Sequence, residues 1–566
     1  MFQQALLLHQ RGQLAEAASL YLEILAQNPK HAGVLNLLGA IEIQRGRPHE
    51  AIQLFDRAIE IEPNNAGFHS NRGIALHDLR RFEEALLSYD RALAIRPGMP
   101  EVLNNRGTVL RELNRLEDAL ASYDQALVAK PAYAEALNNR GNVLRDIGRL
   151  EEALASYDRA TAIAPNYADA YSNRGAMLHL LKRDREAITS YETATALNPN
   201  QAQAHNHLGN ILAGHSRFEE AITRYERALA TNPNYIEAHL NLAKVLKRQN
   251  KVEAAISHYR RAIELAPDFV QAYLDLADAL LEQGQRDEAI QAVETAERLQ
   301  QESNVPHFTL GILFARCERN EAARRHLHSY LEEDTDDHRG AELILAGLDG
   351  RPLPGRASRA HLQDLYAARA EGWGGVDTVY RGHELAANAV RQFFAATARF
   401  DILDAGCGTG LIGLLVRDLA RRLDGVDLSG AMLEGAKRTA AYDALYETDL
   451  VEFLQSHPRE YDLVVSAATL LHFGDLRPVL CAAASSLRTH GLFVFTVLPN
   501  EDGRDFAVAP LGGLAEGGCY LHSRDYVKRI ATETGFSTAL LETDVHEYDN
   551  RGAPVAGLIV VLRRTP

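Results

Sequence analysis

Residues Phe400 to Leu411 read FDILDAGCGTGL, and this stretch decides how the C-terminal third of the chain folds. Apolar residues cluster before Asp404, Gly406, Gly408 and Gly410 stand at every second position, and an apolar helical pattern begins at once. The order is strand, tight loop, helix. Glycine suits the loop because the backbone must turn off the strand and let a ligand approach with no Cβ in the way. A dinucleotide fingerprint has the spacing G-x-G-x-x-G and would want a glycine at 411, where this chain has Leu411. An acid at the strand end would repel a pyrophosphate and suits a ligand that carries positive charge.

Outward from this loop, short apolar strands alternate with helices: Ile402 to Ala405, Leu423 to Asp427, Leu445 to Asp449, Tyr461 to Ala467 and Gly491 to Leu498. Such alternation specifies a parallel sheet covered on both faces. HLQDLYAARAEGW from His361 and GHELAANAVRQFFAAT from Gly382 read as helices ahead of the loop. STALLETDV and VAGLIVVLRR read as two closing strands around a turn signal at Asp549 to Gly552. Acids end successive strands at Asp404, Asp427 and Asp449, the edge at which open α/β sheets bind ligands. A single such Asp is also a common helix N-cap.

On the acid and the G-x-G-x-G that follows it, this region resembles the class I S-adenosylmethionine-dependent methyltransferases. The resemblance implies a Rossmann-like α/β domain with a mostly parallel seven-stranded sheet, its last strand antiparallel, and S-adenosyl-L-methionine as cofactor. It places Asp404, Gly406, Gly408 and Gly410 at the cofactor loop, Asp427 on the ribose hydroxyls and Asp449 on the adenine amino group, with Leu428 and Leu450 flanking the base. His472, Tyr520 and His522 are catalytic candidates by location, needed only where the acceptor must lose a proton. No N/D-P-P-Y/F motif follows the fourth strand, where the residues are Ser466, Ala467, Ala468 and Thr469. That departs from the amino-directed DNA and glutamine methyltransferases and leaves oxygen, carbon or small-molecule nitrogen acceptors open.

The first 60% of the chain is a repeat array. Proline recurs from Pro29 to Pro267 with a constant step of 34, alanine from Ala17 to Ala289, a small residue from Gly39 to Gly311, and an aromatic from Tyr21 to Tyr259. Small residues permit close helix crossing, the aromatic fills the gap beside them, and proline ends the second helix. The four registers resemble tetratricopeptide repeats, an all-α solenoid of helix pairs, over residues 1–337 in about ten units. If first helices start near Ala66, Pro100 and Ala134, unit position 6 holds Asn71, Asn105, Asn139, Asn173 and Asn241, and positions 2 and 13 are rich in carboxylates. First helices line the concave face of such arrays, and a similar asparagine ladder in the O-linked N-acetylglucosamine transferases holds extended peptide. An amide can both donate to and accept from a peptide group. The same residues also read as solvated polar faces copied by duplication. A glycosyltransferase is excluded by the loop at 406–410, which suits a different cofactor.

Between the two regions, 338–360 centres on GLDGRPLPGRASRA, whose glycines and prolines predict a semi-extended linker ahead of an α/β domain at 361–566. The chain is 566 residues long with a formal net charge of -16, which argues against nucleic acid or an anionic membrane as the main partner. Cys317, Cys407, Cys481 and Cys519 form no C-x-x-C pair, so no zinc site or disulfide framework is indicated. Met1 leads directly into a helical pattern, and no apolar run approaches the length of a membrane span. The expectation is a cytoplasmic methyltransferase whose repeats bind a protein or peptide, with the methyl acceptor unassigned. Its alternative is a scaffold whose methyltransferase-like domain binds cofactor without transfer. The combination is also similar to a bacterial group of methyltransferases with tetratricopeptide repeats ahead of the catalytic domain, through LYAARAEGW, CYLHSRDYV and VAGLIVVLRR.

Overall fold

The computed structural model describes residues 1–300, 306–370, 380–394, 399–509, 518–548 and 553–566. Its backbone contacts divide into two compact units, Met1–Val245 and Leu246–Pro566.

Among the described residues ten helix pairs follow one another, from Phe2–Gln10 with Leu14–Gln27 to His307–Arg316 with Asn320–Glu333. The repeats from Pro29 to Pro267 close by the same device. The helix Leu150–Ile163 stops because Pro165 disfavours helical geometry in the residue before it, and Ala164 accordingly takes φ -125 and ψ 84. The small and aromatic registers meet inside the pairs that carry both, as at Gly39, Gly73, Gly107, Gly141, Gly175 and Gly209. A Cβ on Gly141 would lie 2.6 Å from the ring of Tyr157, and one on Gly107 would lie 2.7 Å from that of Tyr123, so only glycine lets the ring settle on the facing helix. The rings are fully buried, as is Phe55 against Gly39.

Two further devices carry the same 34-residue period without a diagnostic residue in every copy. The turn inside each pair holds one left-handed residue, and glycine fills it at Gly12, Gly46, Gly148 and Gly284, whereas Arg80, Asn114, Lys182, Ser216, Asn250 and Glu318 take the same conformation with a side chain. Arginine at unit position 7 joins neighbouring second helices. Arg140 Nε donates to Asp124 (2.7 Å) and its NH1 to Ser156 Oγ (2.8 Å), and Arg72, Arg106 and Arg174 repeat the pattern.

A helix, Ala341–Asp349, occupies the first half of the stretch expected to be linker. The apolar run LILAGL supplies its buried face, and Asp337 accepts the N–H groups of Ala341 (2.6 Å) and Glu342 (3.1 Å), which offsets the orphan donors of its first turn. The proline-rich remainder has no regular structure apart from a bend at Gly355 and an isolated β-bridge at Arg356.

Among the described residues the α/β domain is built on nine strands: β1 Phe400–Ala405, β2 Ala420–Asp427, β3 Ala444–Glu447, β4 Tyr461–Ser466, β5 Leu487–Pro499, β6 Phe506–Val508, β7 Tyr520–His522, β8 Phe536–Tyr548 and β9 Pro554–Arg564. The order β3-β2-β1-β4-β5 is parallel, and β9 runs antiparallel between β5 and β8. That closing hairpin is the one the methyltransferase resemblance implies, although the turn signal at 549–552 lies outside the described residues. Buried residues fill both faces, Leu403, Val464 and Phe493 on one and Ile402, Leu463 and Val494 on the other. The short ribbon of β6 and β7, which continues the sheet beside the end of β5, is an addition to the predicted strands. Three-residue strands are too short to show a period of two. The two helices ahead of the loop are Arg359–Arg369 and Gly382–Phe393, and the remainder of their predicted spans, 371–373 and 395–397, lies outside the described residues.

Gly141→Val is expected to destabilise the array by about 1–3 kcal/mol through overpacking against Tyr157. Lys182→Gly, which relieves a left-handed side chain, is expected to stabilise it by about 1 kcal/mol. Urea melts of the full chain followed by helical circular dichroism check both signs.

Candidate functional site

The loop after β1 brings three glycines together in left-handed geometry, Gly406 (φ 77), Gly408 (φ 54) and Gly410 (φ 95). Their reasons differ. A Cβ on Gly406 would run into Thr469 from the turn after β4, whereas one on Gly408 would meet nothing within 4 Å. Gly408 therefore leaves backbone bare toward open space. Its N–H donates to Asp427 Oδ2 (2.9 Å), and the other oxygen of Asp427 accepts from Ser429 N (2.9 Å). One carboxylate at the end of β2 thus ties the glycine loop to the loop that follows β2. Burial raises its pKa, and these N–H groups oppose the shift.

Asp404 and Asp449 are placed differently from Asp427. Asp404 is fully buried within β1, does not line the cavity, and holds the Tyr442 hydroxyl on Oδ2 (2.6 Å), while Oδ1 meets no donor. Burial pushes its pKa up to about 7, against the Tyr442 hydrogen bond and with the help of the Asp427 charge. Asp449 lies past the end of β3 and caps the helix Leu450–Ser456, with Oδ1 accepting from Val451 N (2.9 Å) and Glu452 N (3.3 Å). Its Oδ2 accepts from Arg356 NH1 (2.6 Å). Asp449 is therefore both a cap and a wall of the site.

These parts enclose one cavity with about 1020 Å³ of empty space, counting its mouth. Its lining includes Gly406, Gly408, Asp427, Leu428, Asp449 and Leu450 together with Tyr366, Tyr380, His383, Thr469, His472 and Phe473. Gly410 sits behind the lining as the N-cap of the helix Leu411–Val416. Of the catalytic candidates, His472 faces the cavity. Its Nε2 lies 2.7 Å from the Tyr366 hydroxyl and its Nδ1 3.3 Å from the Gly518 carbonyl oxygen. Burial lowers its pKa to about 4, so the ring is neutral at ordinary pH. Tyr520 and His522 lie outside the lining: the Tyr520 hydroxyl donates to Pro354 O (2.7 Å), and His522 Nε2 is buried against Phe473 O (2.7 Å). Tyr366, Tyr380, His383 and Arg356 belong to the cavity without having been singled out as site residues in the sequence. LYAARAEGW, which carries Tyr366, was the one signal that could have found any of them.

In the repeats, the asparagines of unit position 6 are half-buried and make a second ladder with position 5 of the preceding repeat. Asn71 donates to Asn36 (2.9 Å), Asn139 to Asn104 (3.1 Å), Asn173 to Asn138 (2.9 Å) and Asn241 to Asn206 (3.1 Å). Where the preceding repeat has Ser70, Asn105 turns to the Tyr89 hydroxyl. Each amide spends one donor on the array. Several flanking acids are engaged as well, Glu135 by Asn104 and Asp146 by Arg111.

Among the described residues no cluster of His, Cys, Asp and Glu has metal-ligand geometry, and no helix is long and apolar enough to cross a membrane.

Residues 402–491 match the family described as a methyltransferase domain. Tetratricopeptide repeat families match residues 2–66, 54–86, 107–182, 168–201, 192–268 and 240–304. The chain carries a tetratricopeptide array followed by an α/β methyltransferase domain. Among named relatives, it is 30% identical over 131 residues to the tRNA1(Val) (adenine(37)-N6)-methyltransferases of Yersinia pestis (strain Pestoides F) and Yersinia pseudotuberculosis serotype O:1b, an alignment covering 19% of this chain and 53% of each relative. It thus spans about half the length of the relatives it matches. Solved structures similar to it include YrrB, described as a TPR protein with an unusual peptide-binding site, at 25% identity over 32% of this chain and 95% of that one, with a TM-score of 0.29. Another is MamA from Desulfovibrio magneticus RS-1, at 22% identity over 30% and 96%, with a TM-score of 0.28.

The raised pKa of Asp404 fixes a sign. A carboxyl that holds its proton more tightly folded than unfolded adds stability at low pH and loses it as pH rises from about 4 to about 7. Asp404→Asn is expected to remove this loss, so its melting temperature should gain on the wild type as pH rises from 4 to 8. Paired thermal melts across that range read the difference directly.

Proposed function

We propose that the chain is an S-adenosyl-L-methionine-dependent methyltransferase whose repeat array recruits a protein substrate or partner. The observation that carries the cofactor reading is the bare backbone at Gly408 joined to the Asp427 carboxylate, at the edge of the sheet where α/β folds bind ligands. Both oxygens of Asp427 keep a lone pair beyond their backbone donors, which suits a vicinal diol. Leu428 and Leu450 offer apolar faces to a base, and Asp449 an acceptor for its amino group. These residues fit an adenosyl group, and the match to a methyltransferase family supports the same choice. When bound, S-adenosyl-L-methionine supplies a methyl group on an electrophilic sulfonium.

The aromatic part of the lining bears on the acceptor. Tyr366, Tyr380 and Phe473 exclude water and His472 stays uncharged, so the wall is apolar with a few fixed polar atoms. His472 is a poor base at this pKa. The acceptor favoured is one whose nucleophilic atom arrives unprotonated or releases its proton easily. The adenine chemistry in the relatives' names is not carried over. The net charge of -16 disfavours a tRNA backbone, and Ser466 to Thr469 stand where amino-directed enzymes carry their motif. In the array, the asparagines keep an amide oxygen or a second N–H beyond their inter-repeat bonds, which suits extended peptide. The poor basicity of His472 also favours the second reading, a scaffold that binds cofactor without transferring methyl.

Calorimetry of the full chain with S-adenosylhomocysteine is expected to show binding that Asp427→Ala weakens at least tenfold, since a hydrogen bond to a charged group contributes about 1.5–3 kcal/mol. Labelled S-adenosyl-L-methionine incubated with lysate should mark a product, and Asn139→Ala with Asn173→Ala should reduce that label. Binding without labelled product selects the scaffold, and no binding at all rejects both readings.

A further inference from the structure

One wall of the cavity comes from Arg356, Ala357 and Arg359, in a strap from Pro354 to Arg359 that lies outside the residues matched as a methyltransferase domain. This strap is laced to the turn after β4. Gly355 O accepts from Gly474 N (2.9 Å) and Asp475 N (3.1 Å), Ala357 N donates to His472 O (2.9 Å), and Arg356 forms an antiparallel bridge with Phe473. The strap is also tied to the end of the last helix pair. Ser358 Oγ donates to Asp336 O (3.0 Å), and His361 Nδ1 lies 3.1 Å from His338 O. Main-chain bonds on one side and side-chain bonds on the other therefore set where Arg356 stands.

Arg356 NH1 meets Asp449 Oδ2 at 2.6 Å, and the Asp449 side chain is only 8% exposed. A nearly buried carboxylate needs a partner for each oxygen, or its orientation is set by whatever water reaches it. Oδ1 is held by the two N–H groups of the helix start, and Oδ2 by the guanidinium. We infer that Arg356 is a positioning residue of the cofactor site: it keeps Asp449 Oδ2 turned toward the corner bounded by Leu428 and Leu450, where a remaining lone pair accepts from the amino group of an adenine. The inference rests on the cofactor reading above and goes beyond it. The base-recognition corner is completed from outside the α/β domain, by a segment anchored to the end of the repeats. Arg356 acts through Asp449, so its removal affects recognition of the amino group more than binding of the rest of the nucleoside.

The test uses the full chain, as wild type, Arg356→Ala and Arg356→Lys, titrated calorimetrically with S-adenosylhomocysteine and with S-inosylhomocysteine, whose base carries a carbonyl in place of the amino group. The wild type is expected to prefer the adenine compound. Arg356→Ala should weaken that compound about tenfold and the inosine compound less than twofold, and Arg356→Lys should restore part of the preference. Unchanged or tighter adenine binding by Arg356→Ala overturns the inference, and so does an equal loss for both compounds, which marks a merely structural strap. Should both arginine variants melt well below the wild type, Asp449→Asn becomes the deciding variant: it must reproduce the lost preference, and failure to do so overturns the inference. A wild type that binds neither compound overturns the cofactor reading itself.

Discussion

The Asp427 carboxylate accepts the N–H of Gly408 with one oxygen and the N–H of Ser429 with the other, and the organisation of the site follows from that pair of bonds. A half-buried carboxylate costs free energy unless its oxygens are satisfied. Satisfying them with backbone donors from two loops fixes the glycine turn and the start of the helix Gly430–Thr439 relative to β2 in one step. Left-handed geometry at Gly406, Gly408 and Gly410 is the other half of the constraint, because a side chain at 406 would collide with Thr469 and so push apart the turns after β1 and β4. The cavity is thus what remains between loops that cannot move independently.

The repeats solve a related problem with different parts. No helix pair here could bury its apolar stripe alone, so each presents it to the next. The ring of Tyr157 fills the space that Gly141 vacates, and Arg140 then spans from Asp124 to Ser156 across neighbouring second helices. The asparagine pairs do the same for first helices. An exposed ion pair alone contributes little. Here the arginine is part of a repeated, half-buried network, which makes it a register device more than a source of stability. The amide ladder has a double character for the same reason: it couples repeats and still leaves hydrogen-bonding atoms over.

Much of the architecture was legible before any coordinates. Four registers at one step announced the helix pairs, and the glycine–tyrosine contacts give the mechanical reason for two of them. The alternation of short apolar runs located β1, β2, β4 and β5, and the antiparallel hairpin of β8 and β9 is the one the methyltransferase resemblance implies. Less of the cavity could be read. Asp449 was expected at the end of a strand and caps a helix instead, because β3 stops at Glu447 and the N–H groups of Val451 and Glu452 claim the side chain. Tyr520 and His522 were candidates by position along the chain, yet the Tyr520 hydroxyl and His522 Nε2 are committed to the carbonyls of Pro354 and Phe473. The left-handed turn residue of each repeat was invisible because glycine fills it in only some copies.

By itself the sequence determined the periods: 34 for the array, two and 3.6 for strands and helices, and the G-x-G-x-G turn whose backbone only glycine adopts without strain. Those are properties of neighbouring residues, and local sterics set them. Tertiary structure alone decided which side chains share a cavity. Tyr366 meets His472 across 106 positions and Arg356 meets Asp449 across 93. Such pairings depend on how far each helix and strap is carried by the packing beneath it, and no local pattern encodes that distance.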